Sequence, residues 1–356
     1  GECYFQPSWV PPDSIARLRP AAMQRGQQGV STEAKGPIYI GPDAPHAHDP
    51  HFQKRALGGA KLPAEIFQRR PGVFCWKLFI GAAVFALGAW LALLPGFAGQ
   101  ALGVLLMGLM GAHFIELQHE CLHNHAFATN IANRLAGALL GLPMLVSHSH
   151  YQQRHFDHHR LCGSENNKEF FAYDHSHLVG PVSCLASMLK TSVRRWFAVL
   201  RDMRQSCFGG SLLKQAIQEE YRLYLLVVAS VVTFCLLKGT AAPLRLWLAV
   251  LLVSDIAHFL IELPEHYGLD TQTSADPMAN TRTIRGSWLS RWYTNCNNIH
   301  TAHHYHQGVP MCNLRRLHAI IEGQIRPEAI EDNYPSFYWR VVTGKIKFDP
   351  MKSCML

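Results

Sequence analysis

The chain has 356 residues, of which 48% are hydrophobic and only 16% charged. Soluble domains average about 25% charged residues, so the deficit points to a membrane protein or a very apolar core. Mean hydropathy is close to zero, which means that the apolar residues are gathered in blocks. The formal charge is +8, yet there is no zinc-finger spacing, RNP-type aromatic pattern or dense Lys/Arg run, and no nucleic-acid partner is expected. In a chain with apolar blocks such charge serves orientation and anionic lipid. Ten scattered Cys without a CxxC pair argue against a disulfide scaffold and suit reduced, cytosol-facing thiols. The unusual count is 21 His.

Residues 1–70 read as a flexible cytosolic arm, with Pro11-Pro12, Gly41-Pro42 and no signal-peptide pattern. His46, His48 and His51 within it are read as part of a solvated linker rather than a metal site. A first apolar block covers residues 73–94, long enough to cross a hydrocarbon core of about 30 Å. An uncharged turn over 95–100 leads to a second block, 101–117. Residues 131–146 are apolar but short, contain Pro143, and read as re-entrant or interfacial. A third block, 223–237, and a fourth, 244–263, flank the turn 238–243. Asp255, His258 and Glu262 interrupt the fourth.

The expected fold is therefore an all-α integral membrane protein. Four transmembrane helices form two hairpins beneath a cytosolic helical cap. The expected domains are the arm 1–70, a membrane domain 71–320 and a cytosolic C-terminal tail 321–356. Arg134, Arg154, Arg160, Lys168, Lys190, Arg194, Arg195, Arg201, Arg204, Lys214 and Arg222 lie between the hairpins, whereas the turns carry little beyond Lys238. The positive-inside rule places both termini and the middle segment in the cytosol, with a bacterial inner membrane as the expected location. Val193, Trp196, Phe197, Leu200 and Met203 share helical spacing and read as a helix in the membrane surface. Lys190, Arg194, Arg195, Arg201 and Arg204 on that segment also offer a basic dock for an acidic partner.

Three clusters carry the chemistry: His119-Glu120-Cys121-Leu122-His123, His155-Phe156-Asp157-His158-His159 and His300-Thr301-Ala302-His303-His304. At this His content one HxxHH is expected about 0.07 times by chance, so two of them make a specific signal. On a helix, i, i+3 and i+4 share a face, so each box offers two or three imidazoles to one point. Eight neutral imidazoles exceed the needs of one tetrahedral ion and suit two ions of higher coordination.

Two rival readings come from other classes. His119, Glu120 and His123 fit the HExxH signature of a zinc protease, which leaves both HxxHH boxes idle. A metal transporter would need polar residues lining several spans, whereas most His here lie outside them. His113 and His258, inside spans, are read as packed or hydrogen-bonded. His125, His148, His150 and His306 flank boxes and are read as supporting or surface groups, and His175 and His177 as exposed. Asp157 and Glu262 are candidates to support the metal site. Arg282, Arg285 and Arg291 are candidates for an acyl headgroup.

These boxes, their order and the hairpin spacing resemble the membrane fatty acyl desaturase and hydroxylase superfamily, over residues 101–318. The likeness extends to Glu262-Leu263-Pro264-Glu265-His266-Tyr267-Gly268, to Asn280-Thr281-Arg282-Thr283-Ile284, to Asn297-Asn298 and to Leu317-His318. The chain departs from the pattern at Ala302 and at Tyr305-His306-Gln307. The resemblance implies His266 as a ninth metal ligand and places Glu262 where it reaches the metals directly or through water. It implies two irons, O₂ as co-substrate and a fatty acyl or alkyl substrate. Desaturation is the expected reaction, with hydroxylation or oxidative decarboxylation to a terminal alkene as alternatives at the same site. The sequence lacks the Cys spacing of an iron–sulfur cluster and a glycine fingerprint for flavin or nicotinamide. A separate electron donor of the ferredoxin, rubredoxin or cytochrome b5 type, with its reductase, is therefore expected.

Overall fold

The computed structural model describes residues 62–164, 166–167, 169–171, 173, 178–208 and 213–349. The chain divides into units Gly1–Gly41 and Pro42–Leu356, and every described residue falls in the second. The expectations for His46, His48, His51, Lys168, His175 and His177 lie outside the described residues.

Four helices are long and apolar enough to cross a membrane. The first, α1 (Pro71–Leu93), starts with Pro at its N-terminus, where the missing N–H costs nothing. Its 23 residues span about 35 Å at 1.5 Å per residue. Gly96, at φ +106°, turns the chain into α2 (Phe97–Leu122). The second hairpin is α6 (Gln215–Leu237) and α7 (Ala242–Glu262). Half of the most apolar window of α2 and of α7 is buried, against 22% in the first span and 17% in α6. The inner pair is therefore α2 and α7.

Small residues set these contacts. A Cβ on Gly103 would lie 2.5 Å from the Gly88 carbonyl oxygen and from the Ala92 nitrogen of α1. Gly108 and Gly111 of α2 face Val253 and Ser254 of α7 in the same way. In lipid, close backbone approach replaces the hydrophobic drive between helices.

Two helices between the hairpins are amphipathic. The first, α3 (Asn130–Gly141), is capped by Thr129 Oγ1, which accepts from the Ala132 N–H. It exposes Ile131, Leu135 and Leu139 and buries Asn133, Gly137 and Leu140. Twelve residues reach only about 18 Å, too short to cross. After the turn Leu142–Met144 comes α4 (His148–Leu161). Then α5 (Pro181–Phe208) exposes Val182, Leu185, Leu189, Val193, Phe197 and Leu200 along one stripe, the pattern of a helix lying in the membrane interface. Met203 turns inward instead, and Trp196 donates to Asp255 Oδ2 at 2.6 Å.

Of the five basic residues expected to form a dock on this helix, Lys190, Arg194, Arg201 and Arg204 are exposed and Arg195 is not. Arg195 is buried, pairs with Asp255 at 2.5 Å and donates to the Met144 carbonyl at 3.0 Å. Arg201 pairs with Asp202 at 2.9 Å. Arg195 also borders an apolar recess of about 150 Å³ lined by Trp196, Val199, Trp247 and Leu251.

Both ends of the described chain pack onto the body. The turn Ala64–Phe67 buries Ile66, and Asn313 Nδ2 donates to the Ile66 and Gln68 carbonyls at 3.0 and 2.9 Å. After α8 (Pro277–Asn280), β1 (Thr283–Ile284) pairs in parallel with β2 (Ile330–Glu331). Between them lie α9 (Trp288–Tyr293), α10 (His300–Tyr305) and α11 (Leu314–Ile321). The last helix, α12 (Tyr334–Val342), buries Phe337 and Val341 in the main core. Residues 62–70 and 321–349 are thus packed on either side of the 71–320 segment.

Gly103→Leu is expected to force α1 and α2 apart at an overpacking cost of about 1–3 kcal/mol. A lower thermal midpoint in detergent, with helix content kept, checks this.

Candidate metal centre

Box one is part of a span rather than an appendage to it. Helix α2 runs through His119 to Leu122, and His123 is its C-cap. Box two lies on α4, so His155, His158 and His159 share its inner face. Box three opens α10, where one turn and a half suffices for His300, His303 and His304. Pro264 ends α7, and the turn Leu263–Glu265 delivers His266.

All nine His meet, and they meet as two groups. His119, His123, His155, His159 and His303 have ligand atoms within 4.8 Å of one another, and so do His158, His266, His300 and His304. The rings of His159 and His304, 4.3 Å apart, set the groups side by side. In the first group His155 Nε2 lies 2.7 Å from His119 Nε2, 3.0 Å from His123 Nε2 and 2.8 Å from His159 Nε2. In the second, His158 and His304 Nε2 are 3.2 Å apart, and His300 and His266 Nε2 3.1 Å. Imidazoles bound about 2.1 Å from one ion and at right angles have their nitrogens about 3.0 Å apart, so the spacing fits ligands.

Tautomers agree with that geometry. His266 Nδ1 donates to the Asn280 carbonyl at 2.8 Å, His158 Nδ1 to Asn167 Oδ1 at 2.9 Å and His300 Nδ1 to Asn297 Oδ1 at 3.1 Å. Each bond leaves Nε2 with its lone pair toward the group. His303 is fully enclosed, and neither of its ring nitrogens has a hydrogen-bond partner. A buried polar atom without a partner is costly, and a cation beside Nε2 would remove that cost. Burial pushes the His123 pKa down to about 3. Burial, then neighbouring imidazoles, holds His155, His159, His300, His303 and His304 well below the usual range. They are neutral, as ligands must be.

Carboxylates crowd the four-His group. Glu169 Oε1 is 2.8 Å from His158 Nε2, and Glu265 Oε2 is 3.3 Å from His300 Nε2. Glu265 Oε1 accepts from Asn297 Nδ2 at 2.7 Å. Glu262 Oε2 lies 3.3 Å from His258 Nδ1, and Glu116 Oε1 lies 3.8 Å from His258 Nε2. Of these only Glu262 was a candidate from sequence. Glu116, one turn before His119, and Glu265, beside His266, carried a spacing signal. Glu169 sits in an irregular loop and carried none.

Glu120 points elsewhere. Its Oε2 accepts from Asn295 Nδ2 at 2.8 Å, and Asn295 Oδ1 accepts from Lys77 of α1 at 2.7 Å. Asn295 and Cys296 hold positive φ values of 50° and 69°, an uncommon backbone for residues with side chains. That turn ties α1, box one and box three together. A protease base would face its metal, and Glu120 does not belong to either His group.

Asp157 and the three arginine candidates are placed differently from expectation, whereas His113 is hydrogen-bonded and packed as expected. Asp157 pairs outward with Arg160 at 2.6 Å and orients no His. Arg282 is buried and donates to the Pro264 and Tyr267 carbonyls. Arg285 pairs with Glu322 and Asp332, and Arg291 donates to the Arg285 and Gly286 carbonyls. His113 donates to the Tyr293 carbonyl at 2.6 Å and stacks on Trp292. His125, His148 and His306 are buried rather than at the surface. His150 meets Tyr221 at 2.8 Å.

A helical membrane body with three His boxes and two His groups is the architecture of a membrane-bound metal oxidoreductase. The profile of the fatty acid desaturase family matches residues 95–335, and the chain belongs to that family. An sn-1 oleoyl-lipid 12-desaturase from Picosynechococcus sp. is 24% identical over 261 residues, which cover 67% of this chain and 72% of that protein. The chain is an integral membrane oxidoreductase of the desaturase type. Its family uses iron and acts on fatty acyl chains in a lipid setting.

Lys77→Met would leave the buried Asn295 Oδ1, and through it Glu120, without the Lys77 donor, at a cost of about 1–3 kcal/mol. Lys77→Met with Glu120→Gln should regain much of that loss. Melting of the four proteins of this double-mutant cycle gives the coupling.

Proposed function

We propose that the protein places a double bond in a fatty acyl chain at a two-iron centre. His119, His123, His155, His159 and His303 hold one ion, and His158, His266, His300 and His304 the other. The observation that carries this is the sorting of nine imidazoles into groups of five and four, each with its ligand nitrogens within 4.8 Å of one another. The balance is one saturated C–C pair, O₂, two electrons and two protons, giving one alkene and two waters.

Bound iron supplies the O₂ activation that breaks an unactivated C–H bond. The chain supplies placement. Asn167, Asn297 and the Asn280 carbonyl hold rings of the four-His group, whose members are all buried, so water is kept away from the reacting carbon. Glu265 and Glu169, within 3.3 and 2.8 Å of ring nitrogens, are placed to take or give protons there.

Desaturation is preferred to hydroxylation and decarboxylation because the curated relative is a 12-desaturase. Its oleoyl-lipid substrate makes a lipid-linked acyl chain the first substrate to test. We further propose that the His cap faces the cytosol of a bacterial inner membrane. Cations cluster between the hairpins, while the turns at residues 94–96 and 238–241 carry only Lys238. The folded membrane domain on this reading extends past 71–320 to include residues 62–70 and 321–349.

Purified protein should contain about two irons per chain. His303→Ala and His300→Ala should each lose about half of the iron and all desaturation, read by metal analysis and by mass spectrometry of extracted lipids. An oxygen retained in the product would replace desaturation by hydroxylation. A single zinc with proteolysis would overturn the reading.

Reporters fused at residues 95–100 and 238–243 should score outside, and reporters after Arg222 inside. The reverse pattern would overturn the orientation.

A further inference from the structure

The two His groups differ in their access to the surface. All four members of the second group are buried, whereas His123 and His159 of the first are only partly covered. Rings continue outward from His123. His125 stacks on it at 5.7 Å with planes 24° apart, and Phe156 meets it edge-on at 5.3 Å. The ring of buried His306 meets Phe67 at 4.9 Å. Phe67 is 37% exposed. Two pairs of rings, Phe67 with His306 and His125 with His123, thus lie between the surface and the five-His group.

The charge around these rings is one-sided. Arg69 and Arg70 follow Phe67 by two and three residues, and Arg315 and Arg316 follow Asn313. The hydrogen bond from Asn313 to the Gln68 carbonyl brings the two segments together. All four arginines are exposed, and Arg69 is near enough to lower the His125 pKa. Residues 62–70 and 311–319 hold one acidic side chain, Glu65. By contrast, α5 presents an apolar stripe, and its Arg195 is paired inside. A carrier seated there would compete with lipid.

We propose that an acidic one-electron carrier protein docks on the face formed by Phe67, Arg69, Arg70, Arg315 and Arg316, and that its electrons enter on the His123 side of the five-His group. This rests on the metal-centre reading above. Each docking would oxidise the carrier by one electron, taken up by the iron that the five-His group would hold, so two dockings would supply one turnover. Tunnelling rates fall steeply with distance, which favours entry where a ligand ring comes nearest to the surface. Opposite charge across such a face raises the association rate and makes it salt-dependent.

The test uses the iron-loaded protein in nanodiscs of zwitterionic lipid, with a reduced acidic [2Fe–2S] ferredoxin as the probe. Binding isotherms and stopped-flow oxidation of the ferredoxin are measured against salt. Arg69→Glu with Arg315→Glu should raise Kd and slow ferredoxin oxidation by about tenfold or more, with a flatter salt dependence. The Gln pair should give a smaller effect of the same sign. Reduction by dithionite and iron content should match wild type. Arg201→Glu with Arg204→Glu on α5 should change neither Kd nor rate.

Wild-type Kd and rate in the Glu pair, or loss in the α5 pair instead, would overturn the dock and leave the metal reading intact. A defect confined to nanodiscs of anionic lipid would assign the arginines to headgroups and also overturn it. A wild-type protein that takes up no iron would overturn the metal reading, and the dock with it.

Discussion

Nine imidazoles gathered in two groups, seven of them buried, form an arrangement in which ring nitrogens crowd one another. Burial removes the water that would satisfy each nitrogen, and the 3.1 Å separation of the His266 and His300 Nε2 atoms places acceptor against acceptor. In the four-His group the protons that could bridge these nitrogens are held elsewhere, on the Nδ1 atoms bonded to Asn167, Asn280 and Asn297. Glu169 adds a carboxylate oxygen 2.8 Å from the acceptor nitrogen of His158. A cation would make these contacts favourable. On the proposed reading metal binding would be folding free energy for the cap, with the rest of the chain as scaffolding for that convergence.

The scaffold begins in the lipid. Helix α2 carries box one in its own last turn, so the position of His119 is fixed by packing in the membrane. That packing is close because Gly103 meets α1 and Gly108 and Gly111 meet α7. Helix α7 in turn ends at the Pro264 turn that delivers His266. Lys77, Asn295 and Glu120 lock α1 to both box one and the approach to box three. The positive φ values at Asn295 and Cys296 show strain held by surrounding structure, as is common beside functional sites.

Much of this was legible in the sequence because it depends on period. The four spans follow from apolar length, and eight ligand candidates follow from i, i+3, i+4 spacing. His266 was reached through resemblance alone, since one His after a proline has no period. Glu116 and Glu265 carry local spacing to His119 and His266, whereas Glu169 reaches His158 only through a tertiary contact from an irregular loop. Arg195 read as a surface cation. Its partner Asp255 lies in a different helix, and the sequence pattern gave no sign that the two would pair. Asp157 sits inside a box, yet α4 points it outward to Arg160, since i+2 from His155 falls on the far side of the helix. Residues 321–349 lack long apolar blocks, so their packing through Phe337 and Val341 could not be seen in advance.

The two His groups are not equivalent, and the difference divides the labour of the site. The four-His group is closed, ringed by Glu169 and Glu265 and tied to asparagines. A carboxylate-rich, water-poor pocket suits handling of protons and protection of a reactive centre. Among the described residues no carboxylate pairs with the five-His group, whereas Glu169 and Glu265 pair with the four-His group; the five-His group touches the surface through His123 and His159. Electron delivery requires proximity to the outside, whereas O₂ chemistry on a hydrocarbon requires the opposite. Setting the groups side by side, with the His159 and His304 rings 4.3 Å apart, lets one centre meet both demands.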